Sequence, residues 1–135
     1  MSMISPRSPK VETQYQNFKK KKKKAGQDLT VFDLKDEIVI REFKHWLIIE
    51  NRFPYDNMTS VNHMLIPKRT LNDLAEASQV ELAEHQAIRY ILIEEGFYDA
   101  VVENLPRSKS VTQHAHLHLV RWKYTTDTGR NKSDG

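Results

Sequence analysis

Three histidines stand two residues apart in this chain: His114, His116 and His118, separated by Ala115 and Leu117 and followed by Leu119. On an extended strand, side chains two positions apart share a face. The pattern therefore predicts three imidazoles on one side of a strand and small or aliphatic groups on the other. Packing alone gives little reason for such a row, because adjacent imidazoles need several hydrogen-bond partners and leucine fills a core as well. Apart from an exposed polar face, two chemistries remain open. Neutral imidazole is a common metal ligand. Three side chains of one strand, however, spread over about 13 Å at about 3.3 Å per residue, and no acidic residue lies nearby in sequence to complete a shell. In the other chemistry the middle histidine attacks phosphorus, giving a phospho-histidine that water resolves. Its neighbours would orient it and donate to phosphate oxygens or to the leaving group.

The elements that must position this row can be read from periodicity. Glu37–Phe43 alternates and is rich in β-branched residues, so it predicts a strand. His45–Glu50, containing Trp46, Leu47, Ile48 and Ile49, predicts a second, with Lys44 at a hairpin junction. Asn51 to Asn62, with Pro54, Asp56, Asn57 and Ser60, reads as a loop, and His63–Ile66 as a short buried strand ended by Pro67. A helix follows, with Thr70 as its cap and Gly96 at its end. Tyr98–Glu103 and Val111–Tyr124 complete the set as strands. The order β-β-β-α-β-β predicts an α+β fold: an antiparallel sheet with one long helix laid on it. His45 and His85 read as structural or exposed, and Trp46 and Phe53 as core or pocket wall. Lys68-Arg69 reads as a solvated turn or a cation near a phosphate path.

These residues resemble the histidine-triad (HIT) superfamily. His114-Ala115-His116-Leu117-His118-Leu119-Val120 fits its signature, His-φ-His-φ-His-φ-φ with φ apolar, at every position. Two further stretches are similar in the right order: Trp46 to Tyr55, like the family's strand and Asn–Pro loop, and Asn62 to Arg69, like its His-x-Leu-Ile-Pro-Lys strand. The likeness covers roughly residues 28–122. It implies a five-stranded antiparallel sheet with one long helix, and a homodimer paired through that helix and an edge strand. It implies a nucleotidyl hydrolase or transferase acting on the α-phosphate of a purine nucleotide conjugate (a phosphoramidate, dinucleoside polyphosphate or adenylylated substrate), with no cofactor and no metal at the triad. His116 matches the nucleophile, His114 and His118 its flanking histidines, and His63 a fourth that helps hold the triad and phosphate site. Asn51 matches a ribose contact, and Asn104 and Ser110 a polar pair near the phosphate and leaving group. The run Ser108 to His114 departs from the family's Gly-Gln-Ser/Thr-Val-x-His, so Lys109 and Gln113 stand beside Ser110 as leaving-group donors. Thr30 to Asp33 stands where some branches carry a zinc-binding Cys-x-x-Cys, so that zinc is not expected. The rival readings are a nucleotide-binding module with little catalysis and, further off, a metal protein built on the histidine row.

Composition bounds these readings. The 135 residues suffice for one core, and the absence of cysteine excludes disulfides and thiol chemistry. No apolar run approaches the roughly 18 residues of a membrane span, and no signal-peptide core is visible, so a cytoplasmic protein without a membrane partner is expected. Residues 1–24 hold eight bases and one acid, a net of +7, whereas the remainder nets −4. The basic character belongs to the amino-terminal arm. Its run Lys19 to Lys24 predicts a solvated, flexible segment, able to steer polyphosphates. Nucleic-acid binding through it is conceivable on charge but not expected. The organisation expected is an extension over 1–27, a HIT-like domain over 28–124 and a polar tail over 125–135.

Overall fold

A strand order of β1-β2-β3-β5-β4, antiparallel at every pairing, forms the centre of the molecule. The strands are β1 (Val39–Glu42), β2 (Trp46–Glu50), β3 (Thr59–Pro67), β4 (Ala100–Val102) and β5 (Leu117–Trp122). Two helices, α1 (Pro9–Lys24) and α2 (Gln79–Glu95), and two 3-10 turns, Leu34–Asp36 and Leu74–Glu76, complete the described chain. The computed structural model describes residues 5–27, 32–105 and 114–123.

Strand alternation sorts the sheet into two covered faces. On one, Trp46, Ile48, Leu65, Leu117 and Leu119 pack with Ile88 and Leu92 of α2. On the other, Leu47, Ile49, Met64 and Ile66 pack under Phe32 and Leu34. Leu117 and Leu119 thus enter the helix-covered core, as the alternation with histidine predicts. β1 differs from expectation, because Ile38, Val39 and Ile40 are all 44% exposed or more. It is an edge strand, and within it only Arg41, paired with Glu95 of α2, is partly covered.

α2 begins eight residues later than Thr70 would place it, with Ser78 as its cap. Ser78 caps the helix by accepting from the Glu81 amide, and Glu81 reaches back to the Ser78 amide, a reciprocal capping box. Thr70 instead opens an irregular stretch containing the second 3-10 turn. Gly96 ends α2 in the left-handed conformation at φ +67°, as its position predicts. The Glu81 carboxylate also binds Arg69 at 2.8 Å, and Arg69 with Ser78 holds its pKa down at about 2.

The amino-terminal arm is a helix rather than an unstructured segment. Ser8 caps it, Pro9 occupies its first turn with Glu12, and its last turn is all lysine. Those charges complement the helix dipole at both ends. The partly buried residues Val11, Tyr15, Phe18, Lys19 and Lys22 recur at helical spacing and form one inward stripe. Tyr15 and Phe18 pack on Phe53 of the domain, with ring centroids 5.2 and 4.9 Å away. This contact is non-local, and lysine repulsion weighs against a helix when the run is read alone.

The α2 cap generates a stability prediction. Ser78→Ala should cost about 1 kcal/mol in urea unfolding. Because the folded pKa of Glu81 lies below the ordinary 4.5, its contribution is complete above about pH 5 and is lost as pH falls toward about 2. Arg69→Gln should flatten that part of the acid-stability profile.

Candidate active site

β5 and the three residues before it carry the histidine row into the sheet. His114, His116 and His118 are 1%, 5% and 2% exposed, and only His118 lies within the strand itself. Each ring has a different set of partners. His114 sets Nε2 at 3.1 Å from the Pro67 carbonyl, and its Nδ1 accepts from the Phe32 amide at 3.3 Å. A carbonyl only accepts, so Nε2 carries the proton and both ring nitrogens are used structurally. Burial lowers the pKa of His114, consistent with a neutral ring.

His116 sets Nδ1 at 2.9 Å from the His114 carbonyl. That acceptor requires the proton on Nδ1, so in the neutral ring Nε2 bears the lone pair. His118 has the opposite tautomer. Its Nδ1 lies 3.0 Å from Nδ2 of Asn62, which donates, leaving Nε2 as the protonated nitrogen. The Asn62 orientation follows from its other partners. Its Oδ1 accepts from Asn51 Nδ2 at 3.1 Å and from the Tyr55 amide at 3.0 Å, while Nδ2 also donates to the His63 carbonyl. His118 Nε2 is buried and has no hydrogen-bond partner among the described residues. Burial, then the neighbouring His116 and Arg7, push the His118 pKa down to about 3. Tyr55 stacks on the His118 ring with centroids 4.7 Å apart.

The cleft over His116 and His118 is walled by Asn51, Phe53, Tyr55 and Met64, by Phe32, and by α1. Asn51 lines it, and its amide also serves the loop: Oδ1 accepts from the Phe53 amide at 3.0 Å. Asn104 is not one of its lining residues but donates to the hydroxyl of Tyr55, which is, at 2.9 Å. Ser110, Lys109 and Gln113 lie outside the described residues, as do the two ends of the predicted last strand.

His63 does not join the triad. β3 alternates, and Asn62 and Met64 take the cleft side, so His63 falls on the α2 side and sets Nδ1 at 2.6 Å from the Tyr98 hydroxyl. Asn62 occupies the place that the fourth histidine was expected to fill. The same alternation, carried two residues back from Met64, is the signal for it. Arg7 and Tyr55 are among the other cleft residues absent from the expectation, together with Phe32, Met64 and the α1 side chains, and Arg7 has no local signal at all. Lys68 and Arg69 pair with Glu42 and Glu81, away from the cleft. Trp46 is core, donating Nε1–H to the Glu81 carbonyl and stacking with His85. Among the described residues, no group of three His, Asp or Glu side chains is arranged to hold a metal ion. His114 has no lone pair to offer one while Phe32 and Pro67 hold it.

Comparison with solved structures then decides the fold. A protein described as a Hit-like protein superposes with TM-score 0.51 and 20% identity, over 63% of this chain and 85% of that one. A HIT family hydrolase from Legionella pneumophila Philadelphia 1 does so with TM-score 0.50 and 22% identity, over 67% of this chain and 85% of that one. This chain has the HIT fold. No protein-family model and no curated protein matches it. The HIT fold here is the five-stranded antiparallel sheet with α2 on one face and the histidine row in the cleft on the other. No described helix is long and apolar enough to cross a membrane.

The tautomer assignment has a spectroscopic consequence. In nitrogen-15 NMR spectra of the ring, His118 should stay neutral and Nε2-protonated through pH 5 and take a second proton only near pH 3. Asn62→Leu removes the donor to Nδ1 and should mix the two tautomers.

Proposed function

We propose that the protein is a nucleotide hydrolase or transferase of HIT type, acting on the α-phosphate of a purine nucleotide conjugate. The hydrogen bond from His116 Nδ1 to the His114 carbonyl carries this reading, because it directs a lone pair from Nε2 in a cleft walled by aromatic, amide and cationic side chains. His116 Nε2 attacks phosphorus. The N–P bond forms as the bond to the leaving group breaks, and the leaving group departs with the bonding pair and takes a proton from solvent. Water then adds to phosphorus, the N–P bond breaks, and the water's proton leaves to solvent, restoring His116. His118 Nε2–H, held by Asn62, donates to a phosphoryl oxygen as negative charge grows there. His118 stays neutral at working pH, so it acts as a fixed dipole rather than as an acid.

His114 holds the carbonyl that orients His116, and is a positioning residue. Asn51 and Asn104 serve ribose and phosphate on the two sides of Tyr55, and Ser110 the leaving group. The base lies against Phe53 and its aromatic neighbours. A cytoplasmic site of action, where such conjugates are made and consumed, fits this chemistry. The protein works as a homodimer. Supporting that assembly, α2 exposes Val80, Leu82, Tyr90 and Ile93, and Phe97 follows it, each 43% exposed or more. Ridges of this kind on an isolated helix face mark a partner surface.

Two measurements test the reading. His116→Ala should remain folded and lose turnover by several orders of magnitude, on the order of 5 kcal/mol or more, and only the wild type should accumulate a nucleotidyl-histidine in acid-free mass spectra. Retained hydrolysis by the folded variant refutes the nucleophile. Tyr90→Glu combined with Ile93→Glu should convert a dimer to a monomer in analytical ultracentrifugation, and an already monomeric wild type refutes the assembly.

A further inference from the structure

One wall of the cleft is not used by the histidine chemistry. α1 and the turn before it bring Arg7, Lys19 and Lys22 into the same cleft as His116 and His118. Arg7 is the most enclosed, with its side chain 11% exposed. Its Nε donates to the Phe53 carbonyl at 2.7 Å, and its guanidinium lies 4.3 Å from the Tyr15 ring centroid and 5.1 Å from that of Tyr55. Tyr55 is the ring stacked on His118.

The segment around Arg7 is fastened to the loop after β2. The Ser8 amide donates to Asp56 at 2.7 Å, and Asn57 Nδ2 donates to the carbonyls of Ser5 at 2.7 Å and Arg7 at 3.0 Å. The carboxylate nearest Arg7 among the described ion pairs is Glu12, at 3.5 Å and itself 39% exposed. Lys19 and Lys22 hold their ammonium groups 4.6 and 5.3 Å from the Tyr15 and Phe18 centroids. The acid lining the cleft, Glu37, is bound to Arg52 at 3.2 Å. The wall thus carries cationic charge beyond what its carboxylates neutralise, beside the neutral His118.

We propose that the amino-terminal segment is part of the active cleft, and that Arg7, with Lys19 and Lys22, binds the phosphates of a leaving group that itself carries phosphate. This rests on the α-phosphate reading above and narrows it. Among nucleotide conjugates, those that lose a phosphate or polyphosphate chain are favoured over those that lose an amine. Arg7 offers several fixed N–H donors to a phosphate, and only one is taken by Phe53. The two lysines act as point charges for the phosphates further out.

Calorimetric titration of the full chain tests this without turnover. The ligands are AMP and adenosine 5′-(α,β-methylene)triphosphate, whose bridging carbon resists attack. Wild type should prefer the triphosphate analogue, and less so as salt rises. Arg7→Gln, and the pair Lys19→Gln with Lys22→Gln, should each weaken the analogue about ten-fold more than AMP, the scale of a lost charge-assisted contact. Arg7→Lys should restore part of that preference, which a merely propping Arg7 would not allow. Equal losses for both ligands, no loss, or no wild-type binding overturns the proposal. Tighter binding of a 5′-phosphorylated oligonucleotide than of the analogue also overturns it, by assigning the wall to nucleic acid. If Arg7→Gln is unfolded by circular dichroism, the lysine pair carries the test. Failure of the nucleophile reading is separate, because it is read in turnover by His116→Ala.

Discussion

The carboxamide of Asn62 is buried and uses both its oxygen and its nitrogen twice, and the cleft is organised around it. Its oxygen holds Asn51 and the backbone of Tyr55, and its nitrogen holds His118 and the carbonyl of His63. An amide has one end that accepts and one that donates, so these bonds cannot be exchanged. The loop after β2 and the tautomer of His118 are therefore set by the same group. Removing it would leave several polar atoms buried without partners, each costly. The site is thus rigid because its loop and its ring share one hinge point, which is itself seated in the central strand pair β3–β5.

The sheet explains why this is possible. Most small α+β domains leave one sheet face to water, but here both faces are covered. α2 covers one with aliphatic side chains, and Phe32, Leu34 and the tightly docked amino-terminal segment cover the other. The second cover is thinner and more polar, which is why the histidines can be buried and still face a cleft. It also dries the site, so that hydrogen bonds from His118 and charges from the wall act with less competition from solvent.

Much of this was legible in the chain. The alternation of His114 to Leu119 predicts which side of β5 faces α2, and Leu117 and Leu119 lie there. A five-stranded antiparallel sheet was implied by the motif resemblance and the strand count, and Gly96 ends α2 where expected. The start of α2 was misread at Thr70 although a stronger signal, Ser78 followed by Glu81, was present; the apolar periodicity begun at Leu71 belongs partly to a 3-10 turn. His63 was placed at the site by the motif resemblance, where strand parity favours Asn62. The helix α1 was less accessible. Its stripe of Val11, Tyr15, Phe18 and Lys22 is in the sequence, but six lysines give no local reason for a fold, and the contacts that order it come from Phe53, Asp56 and Asn57, more than thirty residues away.

The three histidines, so alike in sequence, do not form one functional unit. His114 supplies a donor to Pro67 and an acceptor for Phe32, a task that any neutral side chain with one of each could perform. His116 sets its Nδ1 proton on the His114 carbonyl and directs its Nε2 lone pair away from it, and under the function proposed above that lone pair requires an imidazole. His118 needs a protonated nitrogen with a second nitrogen facing Asn62. The three positions therefore face unequal demands under mutation: the first can drift toward an amide while the domain keeps its chemistry, and the signature by which such chains are detected can fade from its first position inward.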